Sequence, residues 1–378
     1  MLLFEYLRLL YMDQLTLSFI FLISQLVFGL YCLYKINGGF YLQDIRVFFL
    51  LSFAIHSFFL PLASILKLTS EFKIPILIQT INQYTLALMA FNIAVLQFRR
   101  KWNNNVAFVH SANCFEINVQ FLLALVVLSV SQTWIILSFL IITLSNYLIY
   151  YYTKLSKLLK IEFILVLSLY IIFQLSIGNR REIAGILFFS MSFISVKYRM
   201  KLKSWAMITL VILFLLSFYI TIFRGENTRK LETYDALELA IISNEFVYPI
   251  KTTYYIIKDK RDFRLGSTYL FSPLLALAPR CIYPDKPSTL GAEYSPVSEA
   301  YLNFGTLGVL LIFYVLSCFL DRLIKNNSHK IYFVYFMLYG LVFDFCHSDF
   351  SSIFYAFIIM YYVGYKFFLF LSRYKINT

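Results

Sequence analysis

Eleven runs of predominantly apolar residues, 15 to 24 long, follow one another along this chain and are separated by short clusters of charge. A helix crossing the ~30 Å hydrocarbon layer of a membrane needs ~20 such residues. The runs cover residues 15–34, 47–66, 74–97, 115–131, 134–152, 161–177, 183–197, 205–223, 301–320, 331–346 and 352–371. Their continuity predicts helices, because the strands of a membrane barrel alternate polar and apolar residues with a period of two. Composition closes off the alternatives. Charged residues make up 14% of the chain and hydrophobic ones 60%, whereas a soluble domain carries ~25% charged residues. Disorder requires low hydrophobicity, and five cysteines, an odd number, are too few for a disulfide scaffold. The chain reads as an all-α polytopic membrane protein with about eleven transmembrane helices.

Lysine and arginine in short loops orient such a protein, since they concentrate on the cytoplasmic side. One set of loops holds Lys35, Arg46, Arg99, Arg100, Lys101, Lys154, Lys157, Lys160, Lys197, Arg199, Lys201, Lys203, Arg322, Lys325, Lys330, Arg373 and Lys375, seventeen in all. The opposite short loops hold five: Arg8, Lys67, Lys73, Arg180 and Arg181. This bias predicts a cytoplasmic C-terminus, an outer N-terminus and one large outer loop of 76 residues over 224–299. The chain then divides into an N-terminal bundle (1–223), the outer loop (224–299) with amphipathic helices, and C-terminal spans (300–378). The net charge of +13 is mostly this topology signal, which argues against nucleic acid as a partner. Residues 1–14, with Glu5, Arg8 and Asp13 among apolar neighbours, read as an interfacial amphipathic segment rather than a cleavable signal.

The chemistry-bearing residues gather on the predicted outer side. Arg180 and Arg181 occupy a turn, Gly178-Asn179-Arg180-Arg181-Glu182, too short to leave the membrane surface. They either snorkel to headgroup phosphates or form an anion site, because a guanidinium matches phosphate oxygens bidentately and stays charged. Arg224 stands at the mouth of the eighth run with the same two readings. Residues 232–257 carry apolar side chains at roughly helical spacing, opposite Glu232, Asp235, Glu238 and Glu245, which predicts an amphipathic helix. Five of the eight prolines fall between 273 and 296, stiffening a non-helical segment around Arg280, Tyr283, Lys286, Glu293 and Tyr294. Glu299 and Asn303, four apart, share one helical face at the start of the ninth run. His347 and Asp349 close the tenth run, a depth at which ionisable groups are functional candidates. His347 is read as a base, a phosphate donor or a helix end; Asp349, with Ser351 and Ser352, reads equally as an N-cap.

Other chemistries lack the residues. Four histidines, two of them on the predicted cytoplasmic side, do not make a multi-histidine metal site. A Walker-type glycine loop and a Cys-x-x-Cys pair are both missing from the sequence.

The Gly-Asn-Arg-Arg-Glu turn at 178–182, Arg224-Gly225, and Pro284-Asp285-Lys286-Pro287 followed by Gly291, Ser298 to Gly305 and Gly308 together resemble the Wzy-type O-antigen and oligosaccharide repeat-unit polymerases. Arg280 and Gly291 also match an Arg-x10-Gly spacing found in such loops. The resemblance covers roughly 178–350. It implies a glycosyltransferase of the GT-C type, without cofactor or metal, in the bacterial inner membrane. Such an enzyme moves a growing glycan from undecaprenyl pyrophosphate to the non-reducing end of a new lipid-linked repeat unit, on the periplasmic face. Arg180, Arg181, Arg224 and Arg280 then stabilise the leaving pyrophosphate, with Lys286 and Asn303 beside them and Tyr283 and Tyr294 stacking on sugar rings. Glu299 is the first choice for a base, ahead of His347 and Asp349. Partners implied are the lipid-linked glycan as donor and acceptor, membrane lipid and a chain-length regulator. An O-antigen ligase and a lipid-linked oligosaccharide transporter are the competing readings.

Overall fold

The computed structural model describes residues 2–41, 44–69, 71–102, 115–131, 135–177, 181–197, 246–269, 295–325, 329–347 and 363–371. Every regular element among them is helical. In chain order these are α1 (Leu2–Asn37), α2 (Ile45–Ile65), α3 (Ile74–Phe98), α4 (Glu116–Ser131), α5 (Ile135–Tyr150), α6 (Lys157–Ile177), α7 (Arg181–Lys197), α8 (Tyr248–Lys258), α9 (Pro296–Lys325), α10 (His329–His347) and α11 (Lys366–Leu371). Among the described residues, four helices are long and apolar enough to cross a membrane: Tyr11–Asn37, Ile45–Ile65, Ile74–Phe98 and Pro296–Ile324. They coincide with the first, second, third and ninth apolar runs. The fold is that of a helical membrane protein.

The start of the chain is helical and continuous with the first span: α1 runs unbroken for 36 residues, roughly 54 Å at 1.5 Å per residue, of which Tyr11–Asn37 is the part apolar enough to cross a membrane. The described parts of α4, α5 and α7 hold 16, 16 and 17 residues. The eighth run, 205–223, lies outside the described residues, as do 232–245 of the expected amphipathic helix; α8 is the described part of that segment.

Two compact units interleave along the chain. The first takes Met1–Trp102, Lys201–Lys325 and Phe345–Ser351; the second takes Asn103–Met200, Asn326–Asp344 and Ser352–Thr378.

In the first unit α3 packs against α1, α8 and α9. Small residues permit the closest approaches: a Cβ on Gly29 of α1 would lie 2.3 Å from Asn92 Oδ1 of α3, and Asn92 Nδ2 donates to Gln25 O at 2.8 Å. Membrane helices pack through such small residues and interhelical hydrogen bonds. Phe49 of α2 stacks on Phe91 of α3 at 4.8 Å, and Phe53 meets Phe313 of α9 edge-on at 5.7 Å. One end of this unit gathers the last turns of α1, α3 and α9 and the first turn of α2 around Arg46, Asp44 and Asp321. Arg46, read from sequence as a loop cation, is the second residue of α2 and is fully buried.

In the second unit Gly185 of α7 and Gly340 of α10 let their backbones meet, since a Cβ on Gly340 would come within 2.6 Å of Gly185 O. Phe189 and Phe193 of α7 interlock with Phe333 and Phe336 of α10. Tyr147 of α5 is buried beside Phe115, Tyr151 and Tyr365.

Candidate functional site

The site is built where α9 begins and then breaks. Ser295 caps the helix: its Oγ accepts the Ser298 backbone N–H at 3.1 Å, and Pro296 follows at the first helical position, where its missing N–H costs nothing. Tyr84 of α3 fixes the cap from the side, its Oη lying 3.0 Å from Ser295 Oγ and 3.4 Å from Thr253 Oγ1 of α8. Glu299 follows in the first turn, where the positive end of the helix dipole favours a carboxylate.

Eight residues in, the helix breaks at Phe304 (φ −139°) and Gly305 (φ +63°, ψ −152°). That combination belongs to a region only glycine occupies easily. A break in a membrane helix frees carbonyl groups that need new partners, and an incoming segment supplies them. Arg264 N donates to Leu302 O at 3.0 Å and Leu265 N to Asn303 O at 3.2 Å. Gly266 N donates to Asn303 Oδ1 at 2.9 Å. The other end of the Asn303 amide donates to Glu299 O at 2.8 Å and to Thr268 Oγ1. Thr268 Oγ1 in turn donates to the Glu299 carboxylate Oε1 at 3.0 Å. Glu299, Asn303, Ser295 and Ser298 are all buried, and so is Thr268. The outcome is a carboxylate buried inside the protein and held by the Thr268 hydroxyl, which the Asn303 amide fixes in turn, at the junction of a broken helix.

The glycines make this geometry possible. A Cβ on Gly308 would stand 2.4 Å from Ala300 O, and one on Gly305 would stand 3.0 Å from the Phe263 ring. Gly305→Ala is expected to destabilise the chain by about 1–3 kcal/mol, through backbone strain together with the crowding of the added Cβ against the Phe263 ring. Thermal unfolding in detergent checks this against Gly38→Ala, which also has positive φ, +71°, but nothing within 4 Å of an added Cβ; the Gly305 variant should melt lower.

Helix α8 closes the same end. Tyr254 Oη accepts the Lys73 N–H at 2.7 Å, and Phe72 packs edge-on against its ring at 5.0 Å. Beside it, Tyr255 Oη donates to Glu71 Oε1 at 2.6 Å. Desolvation by burial, aided by that carboxylate, pushes the Tyr255 phenol up to about 12, so this bond is complete below pH ~10 and lost as pH climbs through about 12.

Of the residues singled out in the sequence, the structure brings Glu299 and Asn303 together as their spacing required. Arg181 opens α7 and His347 closes α10; only their backbone is described. Arg180, Arg224, Arg280, Tyr283, Lys286, Tyr294 and Asp349 lie outside the described residues. Thr268, Gly266 and Tyr84 escaped the sequence reading, because each joins the site through a partner 31 to 211 positions away. Asp44 and Asp321 escaped it too, although a lone acid at the edge of an apolar run is a legible sign of a buried partner. Among the described residues, no group of three or more His, Cys, Asp or Glu side chains could hold a metal ion.

Compared with family models, with curated proteins and with solved structures, the chain matches none.

Proposed function

We propose that this chain is an eleven-span glycosyltransferase of the bacterial inner membrane that polymerises undecaprenyl-pyrophosphate-linked repeat units at its periplasmic face. The observation that carries the reading is Glu299, a carboxylate fully buried and hydrogen-bonded at the break of a membrane-length helix. The motif that bears the sequence resemblance, Ser298 to Gly308, is the one that forms this break. In this reading a sugar hydroxyl of the acceptor attacks the anomeric carbon of the donor glycan, and the carbon–oxygen bond to pyrophosphate breaks with its electron pair leaving on the phosphate. The hydroxyl proton passes to Glu299, ahead of His347 and Asp349 as acceptors. Charge growing on the leaving group is met by Arg180, Arg181, Arg224 and Arg280. Lys286 and Asn303 bind beside them, and Tyr283 and Tyr294 stack on sugar. The reaction is proposed to need no cofactor, and a chain-length regulator is a candidate protein partner.

A second reading, a transporter of the same lipid-linked glycan, is favoured by the broken helix itself, since discontinuous helices form transporter binding sites. Purified protein, undecaprenyl-pyrophosphate repeat unit and EDTA, resolved by gel, separate the readings. A ladder of lipid-linked multimers is expected. Single repeats that elongate only onto lipid A core would make the chain a ligase, and no product with either acceptor would return it to transport. Arg280→Ala and Arg180→Ala should each abolish the ladder while leaving membrane insertion intact; a variant that still makes normal-length chains removes that arginine from the pyrophosphate site.

A further inference from the structure

The segment that mends the break in α9 has a second face, turned outward. Residues 258–265, Lys-Asp-Lys-Arg-Asp-Phe-Arg-Leu, are all exposed. Four are cations (Lys258, Lys260, Arg261, Arg264) and two are acids, of which Asp259 already pairs with Arg261 at 3.6 Å. Amid these charges stand two large apolar side chains in the open, Phe263 at 56% and Leu265 at 78% of full exposure. Leu265 is held there at φ +45°, a conformation that bulky residues rarely adopt. The hydrogen bonds from Arg264, Leu265 and Gly266 to the broken helix keep it in place.

Position along α9 says what this face meets. Beyond the break, Leu307, Leu311, Val315 and Phe319 are exposed on α9 at four-residue intervals. They form one stripe roughly 18 Å long at 1.5 Å per residue, on a helix long enough to span a membrane. Such a stripe faces lipid tails. Phe263 lies against Gly305 at the top of that stripe. With the stripe in a bilayer, the loop would stand at the hydrocarbon edge and its cations at the level of the headgroups.

We propose that residues 258–266 form a docking site for anionic phospholipid, in which Lys258, Lys260, Arg261 and Arg264 receive headgroup phosphates while Phe263 and Leu265 enter the acyl layer. Charge complementarity selects an anionic over a zwitterionic lipid: each Lys or Arg near an anionic surface adds attraction, and the net excess of two gives a preference on the order of tenfold. A zwitterionic membrane would accept the two apolar side chains, but choline already balances its headgroup phosphates, so its surface attracts the cations less. The site goes beyond the glycan-transfer reading and does not rest on it, because its test involves no glycan.

The test places a nitroxide at Leu265→Cys in the full chain, with the five native cysteines replaced by serine, in nanodiscs of dioleoylphosphatidylcholine alone or mixed equally with dioleoylphosphatidylglycerol. The ratio of collisions with oxygen to collisions with a water-soluble nickel chelate reports immersion. It should rise several-fold in the mixed discs, and lose most of that rise when Lys258, Lys260, Arg261 and Arg264 are all changed to Ser. A second label, at Phe263→Cys, should behave alike, so the result does not hang on one substitution. The proposal fails if the label stays in water in mixed discs, or is equally immersed with the four serines. It also fails if farnesyl pyrophosphate in phosphatidylcholine discs reproduces the whole effect, which would assign the cations to a lipid pyrophosphate instead.

Discussion

Arg46→Ala is expected to cost the folded chain about 3–5 kcal/mol, the penalty for breaking a buried ion pair. The guanidinium is fully buried and binds two carboxylates at once: Nη2 to Asp44 Oδ2 at 2.6 Å and Nη1 to Asp321 Oδ1 at 2.5 Å. It also donates to Arg100 O at 2.9 Å. Truncation leaves Asp44 with the Asn37 amide at 2.9 Å and the backbone N–H of residue 46 at 2.9 Å, and leaves Asp321, among the described residues, with the partly exposed Arg100 guanidinium at 3.4 Å. Water cannot take over at a site where Asp44 has 0% and Asp321 1% of its side chain exposed. A drop in melting temperature on the order of 10 °C in detergent should follow. Arg46→Lys keeps the charge but not the planar fork, and should recover only part of the loss. Replacing Arg46, Asp44 and Asp321 together by Met, Asn and Leu should recover more, because no orphaned charge remains. Arg99→Ala, at an exposed left-handed helix cap, should change stability by less than about 0.5 kcal/mol. If Arg46→Ala melts with the parent, the cluster is not what clamps these four helix ends.

Glu299→Gln is the counterpart at the opposite end of α9, where the expected loss is activity rather than stability. The amide keeps the volume and can still accept the Thr268 hydroxyl through its oxygen, so the melting temperature should barely move. On the polymerase reading proposed above, in which Glu299 is the base, its removal should lower multimer formation by roughly 10²–10⁴-fold. Thr268→Val, which deletes the donor at 3.0 Å but leaves the carboxylate, should weaken activity far less. Full-length ladders from Glu299→Gln would reduce the carboxylate to a brace for the broken helix and leave the proton to another acceptor.

These two ends were unequally legible. The basic end was visible as charge, but as loop charge: counting Arg46 and Arg100 as loop cations groups the ends of α1, α2, α3 and α9 on one side, and the structure does bring those ends together. Its acids were passed over, because Asp44 and Asp321 lie 277 positions apart and only packing makes them neighbours of one guanidinium. At the opposite end, the i, i+4 relation of Glu299 and Asn303 is local and was readable. What held them was not, since Thr268 and Gly266 arrive from a segment that shows no pattern of its own.

What the sequence by itself determined is the class of protein and the position of its long helices. Hydrophobic length is a local property, and a run of ~20 apolar residues in a bilayer must hydrogen-bond its own backbone by coiling into a helix. The ends of α2 and α3 therefore fall within two residues of their runs. The tertiary structure alone decided that α9 is broken, that Arg264–Thr268 mends it, and that an arginine counted as loop charge is buried between two aspartates. Each of these depends on which distant groups satisfy a freed carbonyl or an isolated charge. Burial makes that pairing compulsory, but nothing local says which partner will supply it.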